Sequence, residues 1–169
     1  GTIRNLNITL TNRGKDTDTF DVGKSLAGIA LSNYNGGMDG LIEDCTVTMT
    51  VHRTFGKLAG SLSINGISSG GTIRNCIAKL GIYLDASSTS DSSHMIYVSG
   101  IGSGTNNSLV DHCLVLGNIR VEGSGLGSGK QPVSFDGISA CTAQDSACAL
   151  ESLTVTAKSD RERPYEYFT

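Results

Sequence analysis

The sequence predicts an all-β fold, a parallel β-helix (β-solenoid) of about four to five coils with a period of about 37 residues. Three observations predict it. Gly 22, Ser 21, Thr 16 and Asn 10 make up 69 of the 169 residues, while 17% are charged, 5% aromatic and only 2 are Pro. A helical bundle would be rich in Ala, Leu, Glu and Lys. A phrase that begins Ile3-Arg4-Asn5-Leu6-Asn7-Ile8 recurs, with first positions spaced by 39, 31, 37 and 40 residues. A second phrase, apolar-x-apolar-x-Gly-Ile, interleaves with it, its glycines spaced by 38, 34 and 37. Both phrases alternate with period two, the mark of a strand with one buried face.

Taken in order, the first coil opens with residues 3–10 and returns with the truncated phrase Leu26-Ala27-Gly28-Ile29. Between them Asp16, Asp18 and Asp21 superficially suggest a calcium loop, but they lack the glycine and closing Glu of one and read as a solvated loop. The second coil carries Ile42-Glu43-Asp44-Cys45-Thr46-Val47 and Leu62-Ser63-Ile64-Asn65-Gly66-Ile67, and ends in the Gly-rich turn 68–71. The third has Ile73-Arg74-Asn75-Cys76-Ile77-Ala78, a Ser-rich excursion at 86–93, and Ile96-Tyr97-Val98-Ser99-Gly100-Ile101. The fourth has Val110-Asp111-His112-Cys113-Leu114-Val115, a Gly/Ser-rich excursion at 122–130, and Val133-Ser134-Phe135-Asp136-Gly137-Ile138. A phosphate loop is not expected at 123–130, because Gln131-Pro132 follows where a helix would have to start. The fifth copy reads Leu150-Glu151-Ser152-Leu153, preceded by a loop at 142–147 flanked by Cys141 and Cys148. The domain is expected to span 1–158, as part of a longer protein, with 159–169 a tail or cap.

The segments Gly40-Leu41-Ile42-Glu43-Asp44-Cys45-Thr46-Val47 and Gly70-Gly71-Thr72-Ile73-Arg74-Asn75-Cys76 resemble the GLUG-type repeats of bacterial secreted and surface proteins. The resemblance touches most of residues 1–158. Its Gly-Leu-apolar-Gly half is degraded here to Gly28-Ile29-Ala30 and Gly137-Ile138-Ser139. More broadly the pattern resembles a right-handed parallel β-helix, an architecture of adhesins, phage tailspikes and polysaccharide lyases. This implies a secreted, cell-surface or virion setting.

Stacking the copies turns the sequence into columns. Arg4, Glu43, Arg74, Asp111 and Glu151 would form an ion-pair ladder of mixed sign. Asn5, Asp44, Asn75, His112 and Ser152 would form a turn column, because Asn and Asp tolerate left-handed backbone. Leu6, Cys45, Cys76, Cys113 and Leu153 would form an apolar column of buried thiols. A disulfide between Cys141 and Cys148 is plausible in an oxidising compartment. Ile77, Leu114 and Leu116 leave a small outward apolar spot.

These readings narrow function. A net charge of −3 disfavours a nucleic-acid binder. No apolar run approaches the roughly 20 residues of a membrane-spanning helix. No metal or cofactor is expected. The favoured class is a non-catalytic structural or adhesive module that binds glycan or a host or cell-surface protein, with Tyr34, Asn35, Tyr83 and Tyr97 as ligand-contact candidates. Unpaired solenoid ends invite edge-to-edge self-association. The alternative class is a β-helix lyase or glycosidase, or a tailspike fragment, for which Asp111, His112, Glu43, Asp44 and Arg74 are the candidate catalytic residues.

Overall fold

The structure is a computed structural model, and it describes residues 1–20, 24–31, 40–58, 61–86, 95–102, 109–124, 133–140 and 142–158. Every repeat contributes a short strand followed by a long one. The first consists of β1 (Thr2–Arg4), β2 (Asn7–Phe20) and β3 (Lys24–Leu31). The second consists of β4 (Leu41–Glu43), β5 (Thr46–Leu58) and β6 (Ser61–Ser69), and the third of β7 (Thr72–Arg74), β8 (Ile77–Ala86) and β9 (Met95–Gly102). The fourth holds β10 (Leu109–Asp111), β11 (Leu114–Ser124) and β12 (Val133–Ser139), and the fifth β13 (Thr142–Gln144) and β14 (Ala147–Lys158). No helix occurs among the described residues.

Among the described residues all pairing is parallel, each of the first four repeats adds one strand to each sheet, and the fifth adds one to the first and second sheets. The short strands form the first sheet in the order β1-β4-β7-β10-β13. The long strands form the second, β2-β5-β8-β11-β14, and the Gly-Ile strands the third, β3-β6-β9-β12. One apolar core draws on all three. Ile42, Ile73 and Val110 come from the first sheet, Val47, Met49, Leu80 and Val115 from the second, and Leu62, Ile64, Ile96 and Val98 from the third. Alternation puts these on one face, so β5, β8 and β11 bury their inward-facing residues, while those of β2 and β14 are half-buried or exposed.

The third sheet approaches the second most closely along its glycines. Pairing of Ala27 with Asn65 and of Ile29 with Ile67 aligns Gly28 with Gly66, and the same register continues through Gly100 and Gly137. A Cβ on Gly28 would meet Val47 Cγ1 at 2.4 Å, one on Gly100 would meet Val115 Cγ1 at 2.4 Å, and one on Gly137 would meet Cys148 Sγ at 2.5 Å. The glycine column is therefore the seat of the Val47, Ala78, Val115 and Cys148 column opposite it.

Three features differ from the sequence reading. The fifth copy is Ala143-Gln144-Asp145-Ser146-Ala147-Cys148, because Val110 pairs with Ala143 and Val115 with Cys148. Residues 142–147 are therefore strand, turn and strand rather than a loop between cysteines. Leu150 and Leu153 fall later in β14, where Gly117 pairs with Leu150 and Asn118 with Ser152. Glu151 is the extra residue of that β-bulge, and its spacing from Leu150, Ser152 and Leu153 mimics the phrase. Gln144, Asp145 and Ser146, not Glu151, Ser152 and Leu153, thus complete the three columns. The second difference is that Asp16 and Asp18 lie within β2, in strand backbone rather than a loop. The third is that β11 extends through Glu122 to Ser124, shortening the excursion that follows.

Candidate functional site

The corner between the first and second sheets gathers most of the charged residues singled out in the sequence. The chain turns there through one left-handed residue per repeat: Asn5, Asp44, Asn75, His112 and Asp145, with φ of 53, 54, 51, 50 and 44°. Left-handed geometry costs an L-residue about 1–2 kcal/mol, least for Asn and Asp. The parallel ladder runs through the corner without interruption. Asp44 N donates to Arg74 O at 3.2 Å, Asn75 N to Asp111 O at 3.0 Å and His112 N to Gln144 O at 3.1 Å.

The next column holds Cys45, Cys76 and Cys113, all buried, and Ser146. Apolarity alone does not define it. Each thiol donates to the carbonyl two residues earlier, Cys45 to Glu43 O at 3.1 Å, Cys76 to Arg74 O at 3.1 Å and Cys113 to Asp111 O at 3.2 Å. Ser146 Oγ makes the same bond to Gln144 O at 2.7 Å and accepts from Cys113 N at 3.0 Å. The column selects a compact side chain with a donor. Leu6, which has none, is 39% exposed. Burial pushes the Cys45 thiol above its usual range. The hydrogen bond to Cys113, then burial, pushes Cys76 up. The same bond lowers Cys113.

Along the outer ridge, Glu43 is clamped between two arginines. Its side chain is only 7% exposed, paired with Arg4 Nε on one rung and with Arg74 Nη2 at 2.5 Å on the other. Asp44 accepts from Asn75 Nδ2 at 3.2 Å. Asp111 neighbours Arg74 in register but directs Oδ1 to His112 Nδ1 at 2.7 Å. The other ring nitrogen of His112, Nε2, faces Asp145 Oδ2 at 3.9 Å. Four of the five enzyme candidates thus fall into two groups, Glu43 with Arg74, neutralised across rungs, and Asp111 with His112, joined by Asp145, while Asp44 is taken by Asn75. The ligand atoms of Asp111, His112 and Asp145 lie within 4.8 Å of one another, a set of the kind that holds a divalent cation. The side chains of His112 and Asp145 are, however, 60% and 75% exposed.

A second assembly lies on the outer face of the second sheet. Arg13 pairs in register with His52, His52 with Tyr83 and Tyr83 with Arg120. The His52 ring meets Tyr83 edge-on, with centroids 4.6 Å apart and planes at 72°. The Arg120 guanidinium sits 5.6 Å from the Tyr83 ring centre and also pairs with Glu122. The row joins cationic, imidazole and aromatic groups over four adjacent strands. Each member stands seven residues after Leu6, Cys45, Cys76 or Cys113, so column alignment carried a signal for it.

Of the ligand-contact candidates, Tyr83 belongs to this row. Tyr97, 38% exposed, stands on β9 in the third sheet, a different sheet from Tyr83. Tyr34 and Asn35 lie outside the described residues, as does Cys141, while Cys148 carries a free thiol. A cavity of about 190 Å³ opens between the first two repeats, where Arg53 Nη1 donates to Asn12 Oδ1 at 3.0 Å beside Leu26, Phe55 and Leu62. Comparison with protein-family models, curated proteins and solved structures finds no match to this chain.

Proposed function

We propose that the chain is a right-handed β-solenoid module with a structural or adhesive, non-catalytic role in a bacterial secreted or cell-surface protein, and that it binds glycan on the second sheet. The observation that carries the binding reading is the Arg13–His52–Tyr83–Arg120 row. Aromatic rings offer apolar faces to sugar rings, while guanidinium groups bond hydroxyls and carboxylates. Strands about 4.8 Å apart present these groups at a regular interval along an extended chain. The module reading is further supported by the corner, where Glu43 and Arg74 are committed to each other. The setting rests on the GLUG-type resemblance of residues 40–47 and 70–76.

Acidic and neutral oligosaccharides, presented on an array and followed by calorimetry, test this reading. Tyr83→Ala and Arg120→Ala are each expected to weaken binding about tenfold, the scale of one lost contact of roughly 1.4 kcal/mol. Tyr97→Ala, on another sheet, should leave it unchanged. Absence of binding, or affinity indifferent to Tyr83, would overturn the glycan reading.

A second reading, a β-helix lyase or glycosidase, is favoured by the Asp111–His112–Asp145 cluster, where an imidazole lies between two carboxylates, groups of the kind that serve as general acid or base. Turnover of an acidic polysaccharide that is lost in His112→Ala and Asp111→Asn, with folding intact, would promote it over the module.

A further inference from the structure

Three buried thiols take no part in the charged ridge or in the outer row of the second sheet. Cys45, Cys76 and Cys113 occupy one column on successive rungs. Each sulfur meets the same kind of neighbours. Its thiol donates to the carbonyl two residues earlier, and the sulfurs lie 4.0, 3.8 and 3.7 Å from Ile3 O, Ile42 O and Ile73 O in turn. A backbone N–H of the preceding rung points to each: Leu6 to Cys45, Cys45 to Cys76 and Cys76 to Cys113. Cys113 N makes the same bond to Ser146 Oγ at 3.0 Å. Sulfurs held alike on neighbouring parallel rungs are spaced by the strand interval, about 4.8 Å. A disulfide bond of about 2.05 Å would pull both from these neighbours. Two metal–thiolate bonds of about 2.3 Å, laid end to end, span about 4.6 Å and leave them in place.

We infer that this column binds one soft monovalent cation, Cu+ or Ag+, in line between the sulfur of Cys76 and that of Cys45 or Cys113. The site is independent of glycan binding. Thiolate ligands select such ions. Among the described residues the one set of three or more possible ligand groups is Asp111, His112 and Asp145. The sulfurs therefore lack the third and fourth ligands that Zn2+ takes. Binding is an exchange without electron transfer: two S–H bonds break, two metal–sulfur bonds form and both protons pass to solvent. The cation offsets the repulsion between adjacent thiolates. The N–H groups of the preceding rungs meet the one net negative charge that remains. Cys76 adjoins both intervals, but a sulfur that bridges two metals bonds them at a bend that a straight column does not offer, so one interval fills.

Equilibrium dialysis of the reduced chain against Ag+ in chloride-free buffer tests this, with excess free cysteine present so that a lone thiol does not hold the ion. Cys141→Ser and Cys148→Ser, made in every chain tested, remove the other two thiols. Ser already stands in the column at Ser146 and makes the same bonds, so further serine variants should keep the parent circular dichroism. One Ag+ per chain is the expected result. Cys45→Ser and Cys113→Ser should each retain one, because one interval remains. Cys76→Ser should retain none, since Cys45 and Cys113 are two rungs, about 9.6 Å, apart. No retention by the parent, or retention by Cys76→Ser, would overturn the inference. Two ions per chain would overturn single filling. Loss in one outer variant alone would overturn the equivalence of the two intervals and confine the ion to the interval which that variant destroys.

Discussion

At the scale of single residues, two columns show how tightly the repeat restricts composition. The glycine column is held by close approach, not by backbone angle. Gly100→Ala would place a methyl 2.4 Å from Val115 Cγ1 and 2.6 Å from Gly137 O. Overpacking of this kind costs about 1–3 kcal/mol. Urea denaturation should show that loss, and adding Val115→Ala should restore only part of it, since the clash with the Gly137 carbonyl remains. Full rescue would mean that the carbonyl contact is immaterial. The thiol column makes a pH prediction. Burial raises the Cys45 thiol in the folded chain, whereas the unfolded thiol ionises near about 8.5. The protonated form is thus favoured by folding. Its contribution is complete below the unfolded value and is lost as pH rises through the folded one. Cys45→Ser keeps the donor that Ser146 already uses and does not titrate there. The parent should lose more stability than Cys45→Ser between neutral and alkaline pH, and parallel pH–stability curves would count against the assignment.

At the scale of elements, the three-residue strands of the first sheet form few hydrogen bonds of their own. They are held by the left-handed corner and by Glu43, which ties β1, β4 and β7 together through Arg4 and Arg74. Removing both arginines leaves a buried carboxylate without a counter-ion. Arg4→Ala combined with Arg74→Ala should therefore cost about 3–5 kcal/mol, the scale of breaking a buried pair from one side. Either single variant should cost much less, because the other arginine remains. Additive single effects in a double-mutant cycle would contradict a shared clamp. This ladder was legible in the sequence, since parallel stacking sets equal positions of successive copies side by side. The fifth copy was not. Leu150-Glu151-Ser152-Leu153 imitates the phrase, while the true copy has small Ala143 where the others carry Ile or Val, and Ala147 where they carry Asn7, Thr46, Ile77 and Leu114. The bulge at Glu151 settles the register, with Glu151 Oε2 accepting from Asn118 Nδ2 at 2.7 Å and Ser152 Oγ donating to Asn118 Oδ1 at 2.9 Å. Such a bond between strands leaves no periodic trace. The Arg13–His52–Tyr83–Arg120 row was latent in the same columns, three residues beyond the end of the eight-residue phrase. The meeting of His112 with Asp145 depended on the corrected fifth copy.

At the scale of the whole molecule, strand pairing joins each repeat to its neighbours in the stack, so stability is expected to behave as a sum of rung terms and interfaces along the one core. Among the described residues, β8 lies between β5 and β11, whereas β2 and β14 are the first and last strands of their sheet. Local opening is cheapest where fewest apolar contacts break. Hydrogen exchange on the dilute chain should therefore grade along the stack: slowest for the inward-facing positions Ala78, Leu80 and Ile82 of β8, faster for Ile8 and Leu10 of β2, and faster for Leu150 and Leu153 of β14. Uniform protection from β2 to β14 would show all-or-none opening and defeat the rung-by-rung account.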